Sequence, residues 1–217
     1  MNDGAGDARV SGRVPGDVRV RRWAAAAGIA GPVGFLVIAF GLAALRHDVI
    51  AAQGWASWPS SMALGGPPGI PMILTFLWLA GCYAVCSLGA LRPDLGHPAA
   101  WVGLLAVAAG DTLLAFPTDA PDTPSNWHGA LHLAGVVVAT VGTLVAAAGV
   151  TIATRSRPTW RVWRRTLLVP FLAAAIGAAA GFDVGWAKVV YVIGITLPAA
   201  VVGWLLLRGS ATAARSG

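Results

Sequence analysis

The sequence predicts an all-α, polytopic integral membrane protein, a bundle of six transmembrane helices, and three observations carry that prediction. Of the 217 residues, 57% are hydrophobic and only 11% are charged. Soluble domains carry roughly 25% charged residues, so this chain has too little charge to coat a water-facing surface. The apolar residues gather in six long runs. Strict apolar–polar alternation, the mark of a membrane β-barrel, is absent. With a mean hydropathy of +0.71, these features exclude a soluble enzyme and a disordered chain. Two cysteines are too few for a secreted disulfide framework.

Residues 1–22 are polar and without apolar periodicity, and are expected to form a disordered cytoplasmic tail. The apolar run that follows is longer than the ~7–15 residues of a signal-peptide core, and it ends in Leu45-Arg46-His47 rather than at a small-residue cleavage site. It therefore reads as a retained first helix, Trp23–Leu45. The further spans are Ile70–Leu91, Ala99–Phe116, Gly129–Ile152, Thr166–Phe182 and Val189–Leu207. Each fits the roughly 17–25 helical residues that cross a hydrocarbon core. The membrane domain thus covers residues 23–207, and residues 208–217 form a second cytoplasmic tail.

Orientation follows from the basic residues. The chain has 15 Lys+Arg against nine acidic residues, all Asp, for a net charge of +6. With a cytoplasmic N-terminus the inner segments hold thirteen of them: Arg9, Arg13, Arg19, Arg21, Arg22, Arg92, Arg155, Arg157, Arg161, Arg164, Arg165, Arg208 and Arg215. Only Arg46 and Lys188 fall outside. The positive-inside rule then predicts a multi-pass cell-membrane protein with both termini cytoplasmic. An anionic inner leaflet accounts for the charge, which leaves no nucleic-acid partner to invoke.

Within lipid, helices associate through close contact of small residues, which suits the 28 Gly and the Ala-rich runs Gly28–Gly34 and Ala173–Gly181. Pro32, Pro170 and Pro198 lie inside spans and are expected to bend them. Trp23, Trp101, Trp127 and Trp186 sit near predicted interfaces as an aromatic belt would. Cys82 and Cys86, one helical turn apart, read as small lipid-compatible residues rather than metal ligands. The two three-helix halves show no inverted repeat of the transporter kind.

The polar residues inside the spans are few. Only Asp111 and His132 are ionisable there, with His128 at the outer boundary. A charge at mid-helix costs ~2.5–3.5 kcal/mol on insertion scales, so such residues are functional candidates. Asp111 lies five residues before Phe116, ~7–8 Å below the outer boundary, and His132 lies one turn below His128, ~6 Å deep. Asp119 and Asp122 in the third loop, and His47, Asp48, Ser60 and Ser61 in the first, gather on the same side. His128 and His132, four residues apart, share one helical face. With Asp111 or Asp119 as third ligand they outline a zinc site with an open position for water. In that scheme Asp111, Asp119 and Ser61 are the catalytic candidates, and Ser61 orients substrate or stabilises developing charge. The same residues also suit polar glue between helices three and four, or proton coupling.

At these residues the chain resembles a family of bacterial six-helix membrane proteins, domain of unknown function 998. The resemblance rests on Trp58-Pro59-Ser60-Ser61-Met62-Ala63-Leu64-Gly65, on Phe116-Pro117-Thr118-Asp119, and on His128-Gly129-x-x-His132. It covers about Trp23 to Leu207. It implies a six-helix topology with polar motifs on one face, and it implies no reaction. A fainter similarity is to the membrane hydrolases that include alkaline ceramidases and the progestin and adiponectin receptors. Those combine a Ser, an Asp and a His-x-x-x-His pair around zinc. This chain has six predicted helices rather than their seven, and its His pair is on helix four.

Three function classes follow. One is an enzyme acting on a lipid or other amphipathic small molecule from the outer leaflet, by a metal or by acid–base groups. Another is a non-catalytic membrane component with a structural polar cluster. The third is a small proton-coupled transporter, which has to manage with inner span halves that contain no ionisable residue.

Overall fold

The fold is that of a computed structural model, which describes residues 15–64, 66–119, 124–161 and 184–213, together with isolated positions at 167, 171, 172, 175, 179, 180. The described residues are helical, with no strand among them. Helix α1 spans Pro15–Leu45, α2 His47–Gln53, α3 Ile70–Cys86, α4 Arg92–Leu95, α5 Pro98–Leu114, α6 Trp127–Ala153 and α7 Gly185–Ala213. Among these residues four segments are long and apolar enough to cross a membrane: Val18–Leu45, Pro67–Leu95, Trp127–Ala153 and Gly185–Gly209. Helix α5 is equally apolar but has 17 residues, or about 25 Å at the usual rise. The expected fifth span, Thr166–Phe182, lies outside the described residues apart from isolated positions. So do Pro170, Asp122 and Asp183.

The ends of the chain differ from expectation. Residues 15–22, assigned to a disordered tail, are helical and continuous with α1. Pro15 occupies the first helical position, where its missing N–H costs nothing, and the Arg21 guanidinium pairs with Asp94 Oδ1 at 2.9 Å. At the other end α7 carries the helix through residues 208–213. The second span continues beyond α3 through a π-helical turn, Ser87–Leu91, into α4. Such bulges insert an extra residue into a helix, and here the bulge begins at Ser87, which is fully buried and donates to Trp101 O at 2.6 Å.

Packing runs in the order α7–α1–α3–α5–α6, each helix against the next. The α5–α6 seam is built on small residues. Gly103 and Gly110 on α5 and Gly135, Gly142 and Gly149 on α6 recur at intervals of seven, which is two turns, so they line one stripe on each helix. A Cβ at Gly103, Gly110 or Gly149 would fall 2.4, 2.5 or 2.2 Å from the backbone nitrogens of Ala146, Ala139 and Ala100. The two backbones therefore touch, the kind of small-residue contact by which helices associate within lipid.

The segment between α1 and α3 turns back into the bundle. After α2, short 3-10 turns at Trp55–Ser57 and Ser60–Ala63 carry the chain inward, and Trp58, Ser61, Met62 and Ala63 are all buried. The Trp58 indole N–H donates to Ala39 O at 3.2 Å, a carbonyl six residues before the end of α1 and so about 9 Å along it. Arg46 donates to Met62 O at 2.8 Å and Leu64 O at 3.2 Å. These bonds tie the non-helical segment to α1 and to the residue that follows it. Trp58, with Phe40 and Trp55 against it, is thus a packing anchor rather than part of a belt.

Candidate functional site

The inward loop delivers Ser60 to α6. Ser60 Oγ lies 2.8 Å from His132 Nε2, and His132 Nδ1 lies 2.8 Å from Phe116 O. A carbonyl can only accept, so Nδ1 carries the hydrogen. In the neutral ring Nε2 is then the acceptor and the Ser60 hydroxyl donates to it. The imidazole is buried, 4% exposed, and the Phe76 ring meets it edge-on at 6.4 Å between centroids. Three chain segments thus hold one serine–histidine–carbonyl relay.

The relay borders a cavity of about 50 Å³. Its polar lining is Ser60 from the loop, Asp111 from α5, and Lys188, Tyr191 and Thr196 from α7. The remaining wall is apolar and includes Phe35, Phe76, Val136 and Val192. Asp111 is 5% exposed, and its Oδ2 has no hydrogen-bond partner. Tyr191 OH bonds to Thr140 Oγ1 and so bridges α7 to α6. Lys188 lies within electrostatic reach of His132, and Asp111 within reach of Tyr83 and Tyr191.

The residues singled out in the sequence separate into two groups. Asp111 and His132 both belong to this site. Asp119 and His128 belong instead to the start of α6. The Asp119 carboxylate lies over Gly129, where a Cβ would come within 2.1 Å of Oδ2, and its Oδ1 accepts from Asn126 N at 3.3 Å. Asn126 is the N-cap, its Oδ1 accepting from His128 N and Gly129 N. Helix ends leave such N–H groups without intrahelical partners, so the Asp119 and Asn126 side chains complete the helix. The His128 ring stacks on Trp127, with centroids 3.6 Å apart, and on Phe116 at 6.3 Å. Ser61 is buried with an unpartnered Oγ, but it is Ser60 that lines the cavity.

The zinc scheme does not fit this arrangement. Among the described residues no group of three or more His, Cys, Asp or Glu side chains stands close enough to hold a metal ion. Both nitrogens of His132 are already engaged, and His128 is held by its aromatic neighbours. Lys188, Tyr191 and Thr196 went unnoticed as site residues. Lys188 passed for a topological charge, although Lys188, Tyr191 and Ile195 share the i, i+3, i+7 face of one helix.

No family model matches the chain, and neither a curated protein nor a solved structure does.

Proposed function

We propose that this is a six-span cell-membrane protein with both termini cytoplasmic, and that it acts as a serine hydrolase or acyltransferase on a lipid or other amphipathic ester or amide reached from the outer side. The observation that carries this reading is the Ser60–His132–Phe116 relay beside a cavity. Ser60 is the nucleophile, His132 the general base, and the Phe116 carbonyl fixes the imidazole tautomer, a role usually held by a carboxylate. In the first step Ser60 Oγ bonds to the substrate carbonyl carbon while its proton passes to His132 Nε2. Collapse breaks the bond to the leaving alcohol or amine, which takes that proton. Water then repeats the sequence on the acyl-serine, releasing the acid and restoring Ser60. Lys188, in the lining of the same cavity, supplies positive charge toward the negative charge that develops on the substrate oxygen. The apolar wall accepts the hydrocarbon part of the substrate.

A fluorophosphonate probe tests the reading on purified full-length protein. The expected result is covalent labelling at Ser60, absent in Ser60→Ala and strongly reduced in His132→Ala. A wild type that resists the probe, or labelling that survives Ser60→Ala, would assign the relay to holding the loop against α6.

A further inference from the structure

The cavity is lined by a carboxyl, that of Asp111, whose buried Oδ2 the protein itself leaves without a hydrogen-bond partner. The lining hydroxyls are all committed elsewhere. Thr196 Oγ1 donates to Val192 O at 2.6 Å. Thr140 Oγ1 donates to Val136 O at 2.6 Å, so in the Tyr191–Thr140 bond the proton comes from Tyr191. Ser60 donates to His132 in the neutral ring. Lys188, which also lines the cavity, is not bonded to Asp111 Oδ2 either. A buried acceptor left unpaired costs about 1–3 kcal/mol, a cost that an incoming donor removes.

The surroundings narrow the identity of that donor. Phe35 and Phe76, with centroids 5.5 Å apart, and Tyr191 line the same space, and aromatic faces attract cations. An ammonium offers three N–H donors and the charge opposite to a carboxylate. A space of about 50 Å³ exceeds the roughly 10–15 Å³ that one water requires, and it admits a slender alkylamine tip rather than a bulky quaternary headgroup. We propose that the Asp111 end of this cavity is a binding site for a primary ammonium group carried on an amphipathic molecule. Phe35, Phe76 and Tyr191 enclose the carbon next to the nitrogen, and Asp111 receives its protons. This inference goes beyond the hydrolytic reading and does not depend on it, because binding is measured without turnover.

The experiment uses full-length protein in zwitterionic-lipid nanodiscs, in choline chloride at fixed ionic strength. n-Hexylammonium chloride is titrated against n-hexanol and sodium chloride, with intrinsic tryptophan fluorescence and thermal stability as readouts. The expected result is saturable hexylammonium binding, with hexanol at least about tenfold weaker and Asp111→Asn lowering hexylammonium affinity by a similar factor, as loss of a charge-assisted bond predicts. If Asp111→Asn does not fold, the wild-type comparison of amine with alcohol decides alone. Equal binding of hexanol, or unchanged affinity in a folded Asp111→Asn, overturns the proposal. Sodium that reproduces the stabilisation and displaces hexylammonium overturns it as well, in favour of an inorganic cation site.

Discussion

Replacing Gly110 by Ala tests whether the α5–α6 seam positions the site. The new Cβ would meet Ala139 N at 2.5 Å and Gly135 O at 2.8 Å, whereas ordinary contact begins near 3.4 Å, so the helices must part by 3.4 − 2.5, about 0.9 Å. Both obstructing atoms are backbone, and neither can swing aside. A gap of that size forfeits about a quarter to a half of each dispersion contact along the seam, and overpacking of this kind typically costs ~1–3 kcal/mol. Ala recovers about 0.5–1 kcal/mol over Gly through helix propensity, so the net expected loss is roughly 0–2.5 kcal/mol, and the loss relative to a Gly→Ala change without a clash is the full ~1–3 kcal/mol. Gly81→Ala is the internal control. Gly81 has nothing within 4 Å of its Cβ position, so it keeps the propensity gain and pays no clash. Reversible unfolding in mixed micelles, titrated with SDS, measures both variants. A Gly110→Ala protein as stable as Gly81→Ala would refute the backbone-contact account of this seam. The site should register the same change, because Asp111 is the next residue and moves with α5.

Other expectations follow from the fold and the proposed topology. Cysteines placed in the Arg155–Arg165 segment, where five of the thirteen inner basic residues fall, should react only from the cytoplasmic side; labelling from outside would invert the topology. Asn126→Ala should cost about 1 kcal/mol and speed amide exchange at His128 and Gly129, the two groups it caps; unchanged exchange would deny the cap. Zinc in protein purified without chelator should stay far below one per chain and be indifferent to replacing His128 and His132 by Ala. Stoichiometric metal lost in that double variant would restore the metal scheme.

How much of this was legible in the sequence depends on whether the information was periodic. Helices α3, α5, α6 and α7 lie close to their expected spans, because an apolar run of membrane length leaves the backbone no other way to satisfy its hydrogen bonds. The polar pair Asp111 and His132 was visible for a similar reason, as ionisable residues stand out against such runs. The inward loop was not legible. Trp58-Pro59-Ser60-Ser61 has no periodicity, and its depth is set by a bond from Trp58 to a carbonyl 19 residues earlier, a contact no local rule encodes. Depth alone also left helix rotation open. Matching depths therefore grouped Asp119 and His128 with Asp111, whereas the loop geometry assigns the former two to the start of α6. Gly129 carried the missing signal, since only a glycine admits the Asp119 carboxylate at that position.

Among the described residues, much of the packing of this bundle is made away from the polar groups at the cavity, although Tyr191 ties α7 to Thr140 on α6. The α5–α6 contact runs through glycines and alanines, and the inward loop is fixed by Trp58 on Ala39 and by Arg46 on Met62 and Leu64. Ser60 and His132 add a bond at a place already anchored twice over. Asp111 adds none through its Oδ2, although burying a carboxyl in a helix of this kind costs ~2.5–3.5 kcal/mol on insertion scales. An apolar residue at 111 would carry no such cost. Ser60, the hydroxyl of the relay, and Asp111, whose Oδ2 has no partner, thus line the same cavity.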